Sequence, residues 1–257
     1  MDMSTQYRRI WQKLTIALLI FVTAFTSVPT QASTGKRIKK FPSTSHVELR
    51  TNVSSVPGTL PFDGQNRQIE LGELDYLDRA TYAHIQLRDQ DEPTIKRETL
   101  TYNPVGWFNY KVPHNGKKTW LMNRGHLVGY QFSGLNDEAR NLVTMTAYLN
   151  TGALSGANDS NPEGMLYYEN RLDSWLALHP NYWLDYKVTP VYQGDELVPR
   201  QVVLQYVGID PEGRALQIKL GGGKEKVDNY GVTTVTLENI SPLAEINYET
   251  GMSPTIR

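Results

Sequence analysis

The sequence predicts an α+β fold with a central, mostly antiparallel sheet and one flanking helix. Four segments alternate apolar with polar residues or are rich in strand-forming residues: 81–87, 187–192, 201–208 and 215–220. Pro211-Glu212-Gly213 is a turn sequence between the last two segments, so we expect those two to form a hairpin. Strands joined in this way, together with a separate helix, are typical of the α+β class.

The flanking helix is predicted to begin at Asn161-Pro162-Glu163 and to end near Leu178, ahead of Pro180. This start combines an amide cap, a proline in the first turn and an acid near the positive end of the helix dipole. The apolar residues share one arc that we expect to face the core: Met165, Tyr168, Leu172, Trp175 and Leu176. Glu169 falls at the edge of this arc, where a carboxylate is expected to be paired or bound to something.

Residues 1–32 are typical of an export signal. Three bases within residues 8–13 precede an apolar run over 14–25, and residues 30–32 offer a cleavage site for a signal peptidase. The apolar run is shorter than the roughly 20 residues of a membrane span. We therefore expect a secreted protein whose membrane contact is transient and made through the N-terminus. An uncleaved anchor, with the rest of the chain facing outside, is the alternative.

The rest of the chain is predicted to be a short linker and one domain. Residues 33–45 are polar and basic without an apolar period, so we expect a flexible linker. Residues 46–257 form the predicted domain, and the hydrophobic content of the whole chain, 39%, is enough for a packed core. The chain has no cysteine, which excludes disulfides, thiolate zinc sites and cysteine nucleophiles.

The charge of the chain bears on which classes of protein it can belong to. The formal net charge is −1, and it becomes −3 when the three bases and one acid of residues 1–32 are left out. Proteins that hold nucleic acid in a lasting complex are usually basic. The composition therefore disfavours a stoichiometric nucleic-acid-binding protein more than it disfavours an enzyme that releases its product.

The segment 115–130 is predicted to contain a tight turn and two short strands. Asn115-Gly116 is a strong turn signal. Residues 120–122 and 127–130 have strand character and lie on either side of an Arg-Gly-His step.

This step contains the first candidates for chemistry, Arg124 and His126. A neutral imidazole is available as a general base near pH 7, although a histidine after a glycine is more often an ordinary packed or surface residue. A guanidinium is suited to hold a phosphate through two parallel hydrogen bonds. A solvated arginine on a strand edge is the equal alternative for Arg124.

Asn150 and Glu169 are candidates for a metal site. An amide oxygen suits Mg²⁺, which keeps several waters and takes few protein ligands, and a nearby carboxylate can orient one of those waters. Each residue also has an ordinary explanation. Asn150 precedes Thr151-Gly152 and fits the end of a helical turn, which the local sequence favours, and Glu169 fits a structural ion pair. A hard metal ion beside a general base is what phosphodiester hydrolysis requires.

The combined pattern is more specific than any of its parts. It consists of Asn123-Arg124-Gly125-His126-Leu127, then Asn141 and Asn150, then Met165-Leu166-Tyr167-Tyr168-Glu169-Asn170. In this order the motifs resemble the DNA/RNA non-specific endonuclease family, the ββα-metal nucleases, and most of all the exported DNA-entry nucleases and streptodornases of Gram-positive bacteria. The likeness spans most of residues 56–251, and its weaker pieces are 77–79, 104–107, 188–192 and 246–251.

The resemblance implies a role for each position. His126 matches the general base that activates water, and Asn150 matches the one direct protein ligand of a water-rich Mg²⁺, with Mn²⁺ as an alternative ion. Glu169 matches the acid that holds metal-bound water. Asn141 matches an asparagine that supports the site, and Arg124 matches the motif arginine.

One position departs from the family pattern, which often begins with aspartate where this chain has Asn123. The departure argues against a carboxylate role at this position and leaves the role implied for His126 unchanged.

The predicted function is that of an extracellular, Mg²⁺-dependent endonuclease that cleaves DNA without sequence specificity, with RNA as a further substrate to test. No stable protein partner is implied. The alternative is a catalytically weak exported protein that keeps the fold and binds nucleic acid or a host partner, but loss of the histidine or the metal asparagine would then be expected, and both are present. Other hydrolases are disfavoured because the chain has neither a Gly-x-Ser-x-Gly motif nor a dense His/Asp cluster.

Overall fold

The computed structural model of the chain describes residues 45–252 and 255–256. The strands are β1 Ser45–Asn52, β2 Gln68–Leu71, β3 Ala83–Leu87, β4 Lys111–His114, β5 Lys117–Trp120, β6 Met122–His126, β7 Leu142–Thr146, β8 Trp183–Val191, β9 Gln201–Ile209, β10 Arg214–Lys219, β11 Lys226–Val227, β12 Thr233–Glu238, β13 Ala244–Glu245 and β14 Thr255–Ile256. The α-helices are α1 Tyr130–Ser133, α2 Ala147–Thr151 and α3 Met165–Leu178, and single 3₁₀ turns occupy Val53–Ser55, Asp89–Asp91 and Ala139–Asn141.

The predicted N-terminal segments fall almost entirely outside this range. The export signal, 1–32, lies outside the described residues, and of the linker, 33–45, only Ser45 is described, where β1 begins. Among the residues that are described, no helix has the length and apolar character needed to span a membrane.

The central element is an eight-stranded sheet in the order β1-β10-β9-β8-β3-β2, with β12 also paired to β9 and β11 to β12. Each of these pairings is antiparallel. The predicted strand at 81–87 is the fully buried β3, and the predicted hairpin at 211–213 joins β9 to β10, with Gly213 in the left-handed region at φ +79°. The predicted α+β class with a mostly antiparallel sheet is confirmed.

Helix α3 packs against this sheet through the predicted apolar arc, whose five members are all 0–1% exposed. Burying side chains of this size stabilises the packing by roughly 1.5–3 kcal/mol each. The contact is close because residue 208 is glycine: a Cβ there would lie 2.8 Å from the Trp175 ring. The helix begins at Met165 rather than at 161–163, since the side chain of Asn161 accepts a hydrogen bond from the Glu163 backbone and forms a turn that precedes the helix.

A separate two-stranded ribbon, β6–β7, carries the Arg-Gly-His step. The predicted strand at 127–130 was wrong, because the step itself is strand β6 and residues 127–129 leave the ribbon. Of the strand predicted at 120–122, Trp120 ends β5 and Met122 begins β6. Gly125 lies against Met145 so closely that a Cβ would sit 2.4 Å from the methionine sulfur. The glycine therefore permits the pairing that places Arg124 and His126 on one face of the ribbon.

Candidate active site

His126 lies at the end of β6 and is 7% exposed. Its Nε2 is 2.9 Å from the backbone carbonyl of Asn136. Because a carbonyl only accepts hydrogen bonds, Nε2 must carry the proton, which leaves the lone pair on Nδ1. Burial lowers the pKa of His126, and the charge of Arg97 lowers it further, while hydrogen bonds to the backbone of Asn136 and Leu135 and the charge of Asp137 oppose this. The imidazole is therefore a neutral base with a defined tautomer at neutral pH.

Glu169 lies on α3 and is buried to the same extent, 7% exposed. Its Oε1 accepts a hydrogen bond of 2.9 Å from the Gly129 backbone, and its Oε2 accepts one of 3.1 Å from the Gln131 side chain. Burial raises the pKa of Glu169 to about 7, although these two donors and the Tyr186 hydroxyl act in the opposite direction. The carboxylate is thus held in place by hydrogen bonds but lacks a full counter-charge.

Gly129 is a residue of this site that sequence reasoning did not assign. A Cβ there would lie 2.5 Å from the Gln131 side chain and 2.7 Å from Glu169 Oε2, so any other residue would displace the carboxylate. The only local signal was a glycine three residues after His126, which does not show that its amide faces a carboxylate 40 residues later.

Asn141 is fully buried, and both polar atoms of its side-chain amide form hydrogen bonds with the backbone of one residue, Val128. Oδ1 accepts from the Val128 backbone nitrogen at 2.9 Å, and Nδ2 donates to the Val128 carbonyl at 3.0 Å. Its own carbonyl accepts from Leu127. These bonds hold the backbone between His126 and Gly129, so the side chain supports the site rather than facing the groove described next.

Arg124 lines an open groove of about 590 Å³. Its Nε and Nη2 donate to Asn103 Oδ1 at 2.9 and 2.7 Å, and its guanidinium lies 4.6 Å from the centre of the Trp107 ring. The arginine is therefore held in one orientation while further N–H donors remain for an anion. Arg97, whose charge acts on His126, lines the same groove and is a second cation that sequence reasoning did not single out.

Asn150 lines this groove from the last turn of α2. The cap at that end of the helix is Gly152, with φ +72°, and the cap at the other end is Thr146, whose side chain accepts from Leu149. Within residues 45–252, the Asn150 side chain has no hydrogen-bond partner. The ends of the helix are therefore capped by Gly152 and Thr146, and the half-buried Asn150 side chain is one of the residues that line the groove with Arg124.

The profile of the DNA/RNA non-specific endonuclease family matches residues 63–208, more than half of the chain. The chain belongs to this family. The resemblance seen in the motifs is thereby confirmed, and so is the prediction that the protein is an enzyme, a hydrolytic endonuclease.

Two solved structures are similar to this endonuclease at high identity. One, an extracellular endonuclease, has 55% identity and a TM-score of 0.71, and the match covers 84% of this chain and 100% of that chain. The other, an extracellular nuclease, has 57% identity and a TM-score of 0.66, with 78% of this chain and 99% of that chain covered. A comparison with the curated proteins gave no match.

Two more distant structures share the endonuclease fold. NucA from Streptococcus agalactiae with a magnesium ion bound has 18% identity and a TM-score of 0.56, over 82% of this chain and 83% of that chain. The Sda1 nuclease with a bound zinc ion has 21% identity and a TM-score of 0.54, over 74% and 81%. At these identities the likeness establishes the fold alone.

The part of this endonuclease that the structure describes contains no group of three or more His, Asp or Glu residues able to hold a metal ion. The arrangement instead offers one unpaired amide in the groove and one buried carboxylate, a donor set that suits an ion retaining most of its waters.

Proposed function

We propose that this endonuclease is a secreted, Mg²⁺-dependent enzyme that hydrolyses DNA without sequence specificity, with His126 as the general base. The observation that carries the proposal is the buried imidazole of fixed tautomer beside a groove that holds the guanidinium of Arg124 and the unpaired amide of Asn150. The extracellular relatives and the signal-like residues 1–32 support secretion.

In this proposal, Nδ1 of His126 removes a proton from a water molecule as its oxygen attacks the phosphorus. Arg124 holds the phosphate in line for this attack, and Arg97 adds positive charge to the same groove. The bond from phosphorus to the 3′-oxygen breaks, a solvent water donates a proton to that oxygen, and the imidazole then returns its own proton to solvent. Burial of His126 favours its neutral form, so the base is ready at the start of the next cycle.

The described residues fit a divalent ion. Asn150 would bind it through Oδ1, and Glu169 would bind it through a coordinated water, which would give the buried carboxylate the counter-charge it lacks. When bound, the ion stabilises negative charge on the phosphate and on the departing oxygen. Amide, carboxylate and water oxygens favour Mg²⁺, with Mn²⁺ as the alternative; the ions named for NucA and Sda1 also support a divalent metal.

A plasmid-nicking assay tests the proposal most directly. With Mg²⁺ or Mn²⁺, supercoiled DNA should pass through nicked and linear forms to a smear with broadly distributed ends, because the expected contacts are mainly to phosphates. With EDTA, cleavage should stop. Undiminished cleavage in EDTA would contradict the metal requirement, and a narrow consensus at the mapped ends would contradict the lack of specificity. An RNA of mixed sequence, tested in parallel, decides whether RNA is a substrate.

Replacing Asn150 by alanine should raise the Mg²⁺ concentration for half-maximal activity by at least about tenfold, because indirect contacts to a metal already contribute about 10–100-fold. The control is Asn229→Ala, which removes an exposed amide from the turn between β11 and β12, outside the residues that line the groove, and should leave the titration unchanged. If Asn150→Ala titrates like the wild type, the metal is bound elsewhere.

A further inference from the structure

One face of the β4–β5 hairpin carries an exposed tryptophan and two lysines that have no role in the proposed reaction. In the register of the hairpin, Lys111 lies opposite Trp120 and Pro113 lies opposite Lys118. These four residues are exposed, whereas Val112 on the other face is fully buried. The Trp120 side chain is 51% exposed, so a large aromatic surface is left in contact with water between two lysines.

This face is continuous with the proposed active site. Trp120 lines the same groove as Arg124 and Asn150. The Nζ of Lys111 lies 4.7 Å from the centre of the indole ring, which places a positive charge on one side of it. From residue 99 to residue 136 the sequence contains four Lys or Arg residues and no Asp or Glu, although the whole chain has a net charge of −1. Among the residues that line the groove, Arg97 and Arg124 are cations and Glu98 is an acid; Lys111 and Lys118 add two cations on the Trp120 face of the hairpin.

The hairpin is also held rigidly. Its turn is formed by Asn115 and Gly116 at φ 48° and 72°, as the Asn-Gly signal predicts. Thr119 donates to the Leu154 carbonyl at 2.9 Å, and the buried Val112 anchors the opposite strand. A rigid aromatic surface loses little conformational entropy when a ligand packs on it.

We propose that Trp120 is a stacking platform for one unpaired nucleobase of the substrate strand, and that Lys111 and Lys118 bind the phosphates next to that base. The proposal rests on the proposed function, which places the scissile phosphate at Arg124. An indole accepts any base on its π-face, so such a subsite is compatible with cleavage without sequence specificity.

The chemistry of the face favours a nucleic-acid strand over a protein or a lipid surface. Sites for protein partners or membranes expose a contiguous apolar patch, whereas here the indole is flanked by Lys111 and Lys118. In a duplex the bases are stacked on each other and do not present their faces. The subsite therefore predicts tighter binding of single-stranded or locally opened DNA than of an intact duplex.

The test measures binding without turnover, in the His126→Ala background, with a fluorescent 12-nucleotide single strand of mixed sequence. Trp120→Ala and Trp120→Leu should weaken binding by about five- to a hundredfold, and Trp120→Phe should weaken it less because a smaller aromatic face remains. Tyr230→Ala removes an exposed aromatic from a loop outside the groove and should bind within about twofold of the parent. Equal affinities for Trp120→Ala and Tyr230→Ala would overturn the proposal.

A fully abasic strand of the same length separates stacking from charge. The Trp120→Ala variant should bind the abasic strand as tightly as the parent does. Lys118→Ala should weaken binding of the abasic strand and of the mixed-sequence strand alike. An undiminished effect of Trp120→Ala on the abasic strand would overturn the assignment of a stacking role.

Thermal unfolding of each variant detects misfolding, and the comparison of leucine with phenylalanine at residue 120 remains decisive if alanine destabilises the hairpin. Cleavage that persists in His126→Ala would refute the proposed base, and the binding series is then measured in EDTA with intact strand verified on a gel, so that the stacking proposal is tested separately.

Discussion

Replacing His126 by alanine should lower kcat/KM for plasmid DNA by about 10²–10⁴-fold, the usual contribution of a general base. The side chain is the one imidazole that the structure places at the end of β6 beside Arg97 and Arg124, and its contact with Asn136 leaves Nδ1 able to accept a proton. Alanine leaves the β6–β7 pairing intact, because that pairing is made by the backbone. DNA binding should therefore persist when cleavage is lost, as measured by initial rates and by fluorescence anisotropy.

The matched control for this variant is His114→Ala, since His114 lies on the β4–β5 hairpin, on the face opposite Trp120. Its activity should stay within about twofold of the wild type. Retention of more than a few per cent of wild-type kcat/KM by His126→Ala, in protein shown by circular dichroism to be folded, would refute the assignment of His126 as the base.

Replacing Glu169 by glutamine should have opposite effects on activity and stability. Activity should fall by about 10–100-fold, because the ion would lose its indirect anionic contact. The metal-free protein should become more stable at alkaline pH. Burial raises the pKa of Glu169 from 4.5 to about 7, so the ionised carboxylate destabilises the fold by roughly 3 kcal/mol at most.

The sign of this effect follows from the raised pKa. Below pH 4.5 the carboxyl group is protonated in both the folded and the unfolded chain, and its contribution to stability is fully present. As the pH rises through about 7 that contribution is lost, because the unfolded chain releases the proton first. Glutamine stays neutral, and the Gln131 amide can rotate to accept its N–H. The stability of the variant relative to the wild type should therefore rise by roughly 2–3 kcal/mol between pH 5 and pH 8.

Urea denaturation in EDTA at several pH values measures this difference. Glu138→Gln is an informative control, because the hydrogen bonds and charge of Arg140 lower the pKa of Glu138, so that variant should lose stability relative to the wild type as the pH rises. Parallel pH profiles for Glu169→Gln and the wild type would show that Glu169 is not destabilised by its burial.

The order of the His, Asn and Glu motifs along the chain predicted the family, and apolar periods together with turn residues predicted the antiparallel sheet and the apolar face of α3. These features depend on local properties: the period of apolar residues, turn-forming residues, and short motifs in which neighbours lie close in sequence. The Asn115-Gly116 turn and the arc from Met165 to Leu176 were predicted correctly for this reason.

The state of each site residue depended on partners that are distant in sequence. Burial raises the pKa of Glu169, and the backbone of Gly129, 40 residues earlier, donates the hydrogen bond that opposes this rise. Trp120 becomes part of the groove only when the β4–β5 hairpin lies beside Arg124 and α2. The Arg-Gly-His step became a strand because β7 pairs with it and Met145 occupies the space above Gly125. Burial, pKa and groove shape arise from packing between elements, and local residue patterns contain little information about which elements will meet.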